Sequence, residues 1–424
     1  MLDIDFILEQ PDAVKRAIES KGVELDLDVL IALYGEVKAQ RIRVEDLRRQ
    51  RNELSKQTSK AADDERQSLI EQSREIGASL KELEPALREQ DERLQELLLV
   101  VPNIPGPDEP VGQDEASNVE LRRAGEPPSF AFEPRDHIAL LEANDWAELT
   151  RIGNVAGSRS YALKGDMALL ETALWRFAID HLRERDFTLI GVPSLARSAA
   201  FVGTGHFPHG REDVYALGED DLYLAGTSEV GLNALHSGEI LAHDDLPVRY
   251  AGFSTCFRRE AGAAGRDVRG LLRVHQFYKV EQYVLCAADK EESARWFETL
   301  LANAEALVQA LEIPYRVVRT CTGEMGAGKV RMYDIECWLP TQERYLETHS
   351  VSEFYDWQAR RADLRYRDEE GKVRHAYTLN NTAIATPRII APLLEVHQQP
   401  DGSVRVPAAL QPYLGGIEVL GSSR

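Results

Sequence analysis

Apolar side chains recur every seven residues along the first hundred residues of the chain. Between residues 30 and 54 they form two rows that lie three and four residues apart, as the a and d positions of a coiled coil do. After a polar interval at residues 56–65, the pattern returns between residues 69 and 97. The rows consist of Leu30, Val37 and Val44 with Leu33, Leu47 and Leu54, and then of Leu69, Ile76, Leu83 and Leu97 with Leu80, Leu87 and Leu94. This pattern predicts an antiparallel helical hairpin, kinked at Pro85 in its second helix.

The rest of the chain mixes short strand-like runs with longer helical patterns. Residues 283–285 are a strand-like run, whereas residues 167–183 and 290–311 have helical spacing. Residues 101–118 are rich in Pro, Gly and Asp, which is typical of a linker. We therefore predict an α+β protein with a helical domain at residues 1–100, a linker at 101–118 and a mixed α+β domain at 119–424.

The charge of the hairpin differs from that of the whole chain. The 424 residues carry a formal net charge of −21, which repels nucleic acid. Residues 38–60 nevertheless hold eight basic and three acidic side chains. This segment is either a solvated helix face or a phosphate-binding surface, and the contrast favours the second interpretation. The basic residues predicted to contact RNA are Lys38, Arg41, Arg48, Arg49, Arg51 and Lys56.

Composition excludes several other classes of protein. With 43% hydrophobic and 29% charged residues, the chain is typical of a globular protein. It has no apolar run near the roughly 20 residues of a membrane span. Its four cysteines are widely spaced, which argues against a disulfide framework or a zinc site. Its first residues lack the features of a secretion signal, so we expect a cytoplasmic protein without a membrane partner.

The segment from Phe253 to Tyr283 is the first of four clusters that carry chemistry. Two strand-like runs flank a basic loop containing Gly262, Gly265 and Gly270, which predicts a hairpin. Arg258 ends the first run and offers a bidentate fork to an anion, while Phe277 on the returning run suits stacking on a flat ring. The residues alone leave two alternatives open, an anion site or an ordinary hairpin with a basic tip.

The other three clusters combine hydroxyls, carboxylates and an arginine. Thr227, Ser228 and Glu229 suit recognition of an ammonium group, but they equally suit a helix N-cap. Glu347 and Ser350 offer the oxygen ligands that magnesium prefers. The fourth cluster, at residues 377–390, is predicted to pass from a strand end through Pro387 into the first turn of an apolar helix. Its arginine, residue 388, then either holds a phosphate near the helix start or lies on the surface.

Taken together, the hairpin and the four clusters resemble the seryl-tRNA synthetases, a family of class II aminoacyl-tRNA synthetases. Residues 257–277 are similar to the family's ATP loop, and residues 378–388 to its C-terminal motif. Residues 169–193 resemble the first class II motif, which implies a homodimer. The resemblance implies an antiparallel catalytic sheet flanked by helices, with an N-terminal antiparallel coiled-coil arm. It also implies that serine is activated by ATP with Mg²⁺ and then transferred to tRNA(Ser), and to tRNA(Sec) where that exists.

The resemblance assigns a role to each matching residue. It makes Arg258 and Arg388 the catalytic residues, which hold the α- and γ-phosphates of ATP, and it makes Glu347 and Ser350 the magnesium ligands. The serine-binding residues it implies are Thr227, Ser228, Glu229, Arg258, Glu281 and Thr382. The ATP-binding residues it implies are Arg258, Arg259, Glu260, Val274, His275, Gln276, Phe277, Glu347, Thr348, His349, Ser350 and Arg388. Glu260 would read the adenine edge and Phe277 would stack on the ring. The basic helix of the arm would contact the long variable arm of tRNA(Ser), whose acceptor end would reach the catalytic site.

Two other functions have to be weighed against this one. A related ligase that loads an amino acid onto a carrier protein would share the catalytic body but lack the long basic hairpin. A non-catalytic RNA-binding or scaffold protein would have no reason to keep Arg258, Glu347 and Arg388 together. Both features are present in this chain, so the sequence favours the tRNA ligase.

Overall fold

The computed structural model describes residues 1–262 and 270–421. The chain divides into two compact units, one formed by Leu2–Pro102 and the other by Asn103–Arg424 together with Met1. The glycine-rich loop predicted at residues 261–269 lies mostly outside the described residues. No helix among the described residues is long and apolar enough to cross a membrane.

The first unit is helical. Its helices are α1 Ile4–Glu9, α2 Pro11–Ser20, α3 Leu27–Thr58 and α4 Asp63–Val100. Helix α3 begins after Asp26, whose carboxylate accepts hydrogen bonds from the backbone N–H groups of Asp28 and Val29 and so caps the first turn. Helix α4 continues through Pro85 without interruption.

Helices α3 and α4 form the predicted antiparallel hairpin. An ion pair joins Arg41 to Asp91 at 2.6 Å, and seven residues further along α3, Arg48 is paired with Glu84 at 2.8 Å, seven residues back along α4. This register is possible only if the two helices run in opposite directions. The heptad row of Leu30, Val37 and Val44 is buried, as are Leu80 and Leu94 on the facing helix. The hairpin is therefore held mainly by the apolar seam that the spacing predicts.

The second unit is mixed α and β. Its helices are α5 His137–Ala143, α6 Gly153–Ala156, α7 Asp166–Arg183, α8 Ser198–Thr204, α9 Glu229–Ala234, α10 Lys290–Ala310, α11 Trp357–Ala362 and α12 Ile390–His397. Its strands are β1 Val119–Ala124, β2 Ala147–Glu148, β3 Ala162–Leu163, β4 Thr188–Gly191, β5 Leu195–Ala196, β6 Tyr215–Leu217, β7 Leu222–Leu224, β8 Ile240–Ala242, β9 Val248–Phe257, β10 Gln276–Cys286, β11 Tyr315–Arg319, β12 Arg331–Leu339, β13 Arg344–Tyr355, β14 Arg365–Arg367, β15 Val373–His375, β16 Tyr377–Thr386, β17 Val404–Arg405 and β18 Val419–Leu420.

Within the described residues, eight strands form one large sheet in the order β1-β11-β12-β13-β16-β10-β9-β4. Its strand pairs are antiparallel except that β4 runs parallel to β9. Successive side chains of a strand point to opposite faces. Along β10, Val280 and Val284 join the main core with α7 and α10, whereas Tyr283 and Leu285 join a second core on the other face. The predicted α+β class and antiparallel sheet are confirmed.

The start of the last long helix differs from its prediction. Helix α12 begins at Ile390, so Pro387 and Arg388 precede it instead of forming its first turn. The backbone N–H of Ile390 bonds to the carbonyl of Pro387, and that of Ala391 to the carbonyl of Arg388. These bonds span three residues, which is the spacing of a tight turn and not of an α-helix. The turn lets Arg388 reach back toward the sheet.

Candidate active site

The β9–β10 hairpin supplies one wall of the site. Gln276 lies opposite Phe257, so the two strands stay paired up to the points where the connecting loop begins and ends. Because side chains alternate along β10, Phe277, Lys279 and Glu281 lie on one face of the sheet. Arg258 follows β9 directly, and its guanidinium carbon lies 5.2 Å from the centroid of the Phe277 ring. The hairpin therefore places a cation beside an aromatic face.

A first cavity opens between this hairpin and the turn after β16. It is lined by Arg258, Glu260, Val274, Phe277, Thr348 and Arg388, among others. Two arginines, an aromatic ring and a carboxylate are the groups that a flat base with attached phosphates requires. The first cavity therefore has the chemistry of a nucleotide site.

Backbone carbonyls hold Arg388 in place. Its Nε donates to the carbonyl of Leu272 at 3.1 Å, and its Nη1 donates to the carbonyl of Glu347 at 3.2 Å. The Glu347 carboxylate lies 3.8 Å from Nη1. Burial lowers the pKa of Arg388, although a guanidinium keeps its charge in proteins. A fixed, partly desolvated cation of this kind interacts strongly with an anion.

A second cavity of about 370 Å³ adjoins the first. The two cavities share Arg258, Lys279, Glu347 and Thr382. The second cavity is also lined by Thr227, Glu229, Glu281, Ser350 and Asn380. Its hydroxyl and carboxylate lining suits a small molecule that carries both an ammonium and a hydroxyl group.

Lys279 joins two sides of the second cavity. Its Nζ donates to Thr227 Oγ1 at 2.7 Å and forms an ion pair with Glu281. Burial raises the pKa of Glu281, and the nearby Lys279 cation opposes that rise. The ion pair therefore keeps a carboxylate available as a hydrogen-bond acceptor inside a buried pocket.

A buried amide positions Glu229. Gln358 on α11 donates through Nε2 to Glu229 Oε1 at 2.7 Å, and its Oε1 accepts from Thr378 Oγ1 at 2.7 Å. Burial raises the pKa of Glu229, while the Gln358 hydrogen bond favours the ionised form. The Thr227 hydroxyl oxygen also accepts from the Glu229 backbone N–H at 3.2 Å. Thr227 and Glu229 thus line the second cavity, while Ser228 between them is the N-cap residue of α9 and forms no side-chain capping hydrogen bond.

One tryptophan forms part of the lining of the second cavity. The ring of Trp357 packs against Gly205 and Gly328, and all three residues line that cavity. A Cβ added at Gly205 would lie 2.4 Å from the ring, and one added at Gly328 would lie 2.6 Å from it. Because both distances are shorter than any real contact, only glycine fits at either position while the ring stays in place.

The candidate magnesium ligands lie at the second cavity. Glu347 and Ser350 both line it, and both offer oxygen, the donor atom that Mg²⁺ prefers. Among the described residues, no group of three or more His, Cys, Asp or Glu side chains could hold a metal ion. The donor set therefore fits an ion that takes most of its ligands from phosphates and water.

Five residues assigned by resemblance lie away from the two cavities. The backbone N–H of Arg259 bonds to the carbonyl of Asp213. His275 and Gln276 line a separate cavity, which by the alternation along β10 lies on the other face of the sheet. His349 is buried, with Nε2 3.0 Å from the Ala383 carbonyl. Ser228 is also buried, and its hydroxyl is directed at the Gly252 carbonyl.

Sequence reasoning missed several residues that line the second cavity or support its lining. Lys279 lies midway between Phe277 and Glu281, so the period of two along β10 is the signal that would have found it. Asn380 lies two residues before Thr382 on β16, so the same period of two would have found it. No local spacing points to Gln358, because its partner Glu229 lies 129 residues earlier.

The basic residues of the arm are not equivalent. Arg41 and Arg48 are paired with carboxylates of α4, and Arg49 is paired with Asp46 on its own helix. Lys38 lies over the ring of Tyr34. Within the part of the chain that the structure describes, Arg51 and Lys56 form no ion pair. Of the six side chains predicted to contact RNA, these two are the most available to an outside anion.

Two protein-family models match the chain. Residues 214–397 match the core domain of class II tRNA synthetases (G, H, P, S and T), and residues 1–105 match the seryl-tRNA synthetase N-terminal domain. The first match covers α9, α10 and the central strands that line both cavities. The fold and site thus define a class II aminoacyl-tRNA synthetase.

Individual relatives identify the family to which the chain belongs within this class. The serine–tRNA ligase of Deinococcus radiodurans is 58% identical over 421 residues, which cover 99% of each chain. The crystal structure of seryl-tRNA synthetase from Pyrococcus horikoshii complexed with ATP is 39% identical, with a TM-score of 0.92 and full coverage of both chains. The cytoplasmic serine–tRNA ligase of Naegleria fowleri in complex with AMP is 27% identical, with a TM-score of 0.86 and coverage of 99% and 98%. The chain belongs to the seryl-tRNA synthetase family.

Proposed function

We propose that this chain activates L-serine with ATP and transfers it to the 3′ end of tRNA(Ser), releasing AMP and pyrophosphate. One observation carries the proposal: a cavity with the groups that a nucleotide requires adjoins a second cavity lined by hydroxyls and carboxylates, and Arg258 lines both. The three relatives described above are all serine–tRNA ligases, so loading of an amino acid onto a carrier protein finds no support. By family likeness, tRNA(Sec) is a further substrate where it exists.

Activation requires alignment of two anions more than it requires a base. The serine carboxylate attacks the α-phosphorus of ATP, a P–O bond forms, and pyrophosphate leaves with the electrons of the broken bond. A carboxylate is already a nucleophile, so no proton has to be removed. Arg258 would hold the α-phosphate and the carboxylate, and Arg388 would hold the γ-phosphate. Phe277 would stack on adenine while Glu260 reads its edge.

The second cavity would select serine. Glu229 would accept a hydrogen bond from its ammonium group, Thr227 would line the pocket beside Lys279, and Glu281 and Thr382 would meet its hydroxyl. Alanine lacks the hydroxyl, so its binding would leave buried polar groups unpaired, which costs about 1–3 kcal/mol per group. Threonine would be rejected for want of room for its extra methyl group.

Glu347 and Ser350 would hold Mg²⁺ at the junction of the two cavities. When bound there, the ion supplies positive charge to the phosphate oxygens. The carboxylate of Glu347, 3.8 Å from Arg388 Nη1, would then be shared between the ion and the arginine.

We also propose how the chain is organised. Residues 1–100 would form a tRNA-binding domain whose basic helix α3 contacts the long variable arm, residues 101–118 a linker, and residues 119–424 the catalytic domain. A homodimer would cover apolar side chains that the described chain leaves exposed, including Val155, Leu169, Leu189 and Leu195. A cytoplasmic location agrees with four buried cysteines that are all free.

Pyrophosphate exchange tests the proposal directly. ATP–pyrophosphate exchange is measured with each of the twenty amino acids, and charging of total tRNA is then measured with serine. We expect exchange to depend on serine, and charging to be confined to serine-accepting tRNA. Exchange driven by glycine or alanine, and not by serine, would refute the assignment.

A further inference from the structure

A histidine lies where the second cavity meets a third cavity. His206 follows α8 and lines both of these cavities, together with Gly210, Arg258 and Glu347. The third cavity, about 470 Å³, is also lined by Glu260 and Arg388 and so reaches the nucleotide site. The His206 ring therefore lies at the boundary between the second cavity and the third.

A neighbouring threonine fixes which ring nitrogen carries the proton. Thr204 Oγ1 lies 2.7 Å from His206 Nδ1, and it also lies 3.2 Å from the Phe201 carbonyl and 3.3 Å from the Ala200 carbonyl. The hydroxyl has one hydrogen, which it donates to one of these carbonyls, because a carbonyl oxygen can only accept a hydrogen bond. The threonine oxygen therefore accepts from Nδ1–H, and this tautomer leaves a lone pair on Nε2.

The loop that carries this ring is fixed from α11. Gln358 Nε2 donates to the Thr204 carbonyl at 3.1 Å. Arg361 Nη1 donates to the carbonyls of Val202 and Phe207, both at 3.3 Å. The loop is thus bound on both sides of His206, which holds the ring in one orientation.

The charges nearby keep the ring neutral. Burial lowers the pKa of His206 to about 4, and the cations of Arg258, Lys279 and Lys329 act in the same direction. At neutral pH the ring is therefore a hydrogen-bond acceptor and not a cation.

An acceptor of this kind has no use in activation, because the serine carboxylate has no proton to give. The second step differs, since its nucleophile is a ribose hydroxyl. We propose that His206 Nε2 accepts a hydrogen bond from the terminal ribose hydroxyl of tRNA and positions its oxygen for attack on the seryl-adenylate. This inference rests on the function proposed above.

The step balances without a further reactant. The hydroxyl oxygen forms a bond to the seryl carbonyl carbon, and the bond from that carbon to the phosphate oxygen breaks. AMP leaves with the bonding electrons, and the hydroxyl proton passes to AMP or to solvent. His206 touches the attacking group and orients it throughout.

The test separates transfer from activation. Enzyme preloaded with seryl-adenylate is mixed rapidly with tRNA(Ser), and single-turnover formation of seryl-tRNA is followed. Pyrophosphate exchange is measured on the same preparations. His206→Asn keeps an amide nitrogen near Nδ1 that can still donate to Thr204, but it has no group at Nε2. We expect transfer to slow on the order of 100-fold, and at least about tenfold more than exchange slows.

Two further variants and a control complete the design. His206→Gln places an amide oxygen near the Nε2 position and should recover a large part of the rate lost in His206→Asn. Thr204→Val removes the partner that fixes the tautomer and should also slow transfer more than exchange. His236→Asn alters a histidine that bonds to Glu239 and Tyr250 away from these cavities, and both rates should stay unchanged.

Several results would overturn the inference. Transfer at the unaltered rate in His206→Asn would do so, as would equal losses of transfer and exchange in that variant. A His206→Gln variant as slow as His206→Asn would also do so. The unaltered enzyme is assayed first, and failure of its serine exchange or of its tRNA charging would instead refute the proposed function.

Discussion

Replacing Lys279 by methionine would leave the Glu281 carboxylate without its cation inside the second cavity. The two side chains are 7% and 3% exposed, so water replaces the lysine only in part. Removing one member of a buried ion pair typically costs about 3–5 kcal/mol. Part of this cost is avoided because the carboxyl group can bind a proton. We therefore expect the loss in unfolding free energy at neutral pH to lie at the low end of this range, at about 3 kcal/mol.

The pH dependence follows from the sign of the pKa change. Lys279 lowers the pKa of Glu281 against the effect of burial, so its removal raises that pKa further above the unfolded value of about 4.3. The native state of the variant then holds a proton that the unfolded state has released. Its stability relative to the unaltered protein falls as the pH rises from the pKa of Glu281 in the unaltered protein to the higher pKa in the variant.

Unfolding is followed by thermal or urea denaturation at several pH values, together with serine-dependent pyrophosphate exchange. Lys279→Met should lose most stability at high pH, and its kcat/KM for serine should fall by on the order of 100-fold. A double variant, Lys279→Met with Glu281→Gln, has no buried carboxylate. It should regain most of the stability and lose the pH dependence, while serine activation stays impaired. A double variant no more stable than Lys279→Met would refute the reasoning.

Three other substitutions or deletions test separate parts of the molecule. Gln358→Leu removes the donor to Glu229 and to the Thr204 carbonyl, two residues that line the second cavity and not the first, so it should raise KM for serine by roughly tenfold and leave KM for ATP unchanged; a parallel rise in both KM values would indicate general disruption. Deleting residues 29–97 should preserve serine-dependent exchange and abolish charging of tRNA, and charging that survived would exclude the arm as the tRNA contact. Arg51→Glu should reduce the slope of log binding constant against log salt by about one without changing the melting of the arm, whereas Arg48→Glu should also weaken the arm because its ion pair with α4 is broken. An unchanged salt slope in Arg51→Glu would remove that residue from the RNA surface.

Structural elements whose side-chain pattern repeats over a few residues were predictable from the sequence. The heptad rows identify α3 and α4, because a coiled coil repeats its contacts every seven residues. The β9–β10 hairpin follows from two strand-like runs around a glycine-rich loop. The side chains at the ends of those runs, Arg258 and Phe277, lie together because antiparallel pairing makes them neighbours.

Contacts between distant segments were not predictable in this way. Gln358 reaches Glu229 only because α11 packs beside α8 and α9, and no spacing in the chain records that packing. The loop from Gly205 to Gly210 contains no motif of its own, so the sequence gives no reason to single out His206. Only the lining of the cavities identifies it. The start of α12 was misjudged because proline fits both a first helical turn and a tight turn before a helix.

The position of Trp357 has a consequence for how substrate choice can change. Its ring abuts Gly205 on one loop and Gly328 on another, and both loops border the second cavity. A smaller residue in its place would enlarge the cavity, but it would also release the loop that carries His206. Acceptance of a larger amino acid would therefore come with poorer delivery of that amino acid to tRNA. The enzyme can evolve a new specificity at this position only if a second change restores the support of the loop.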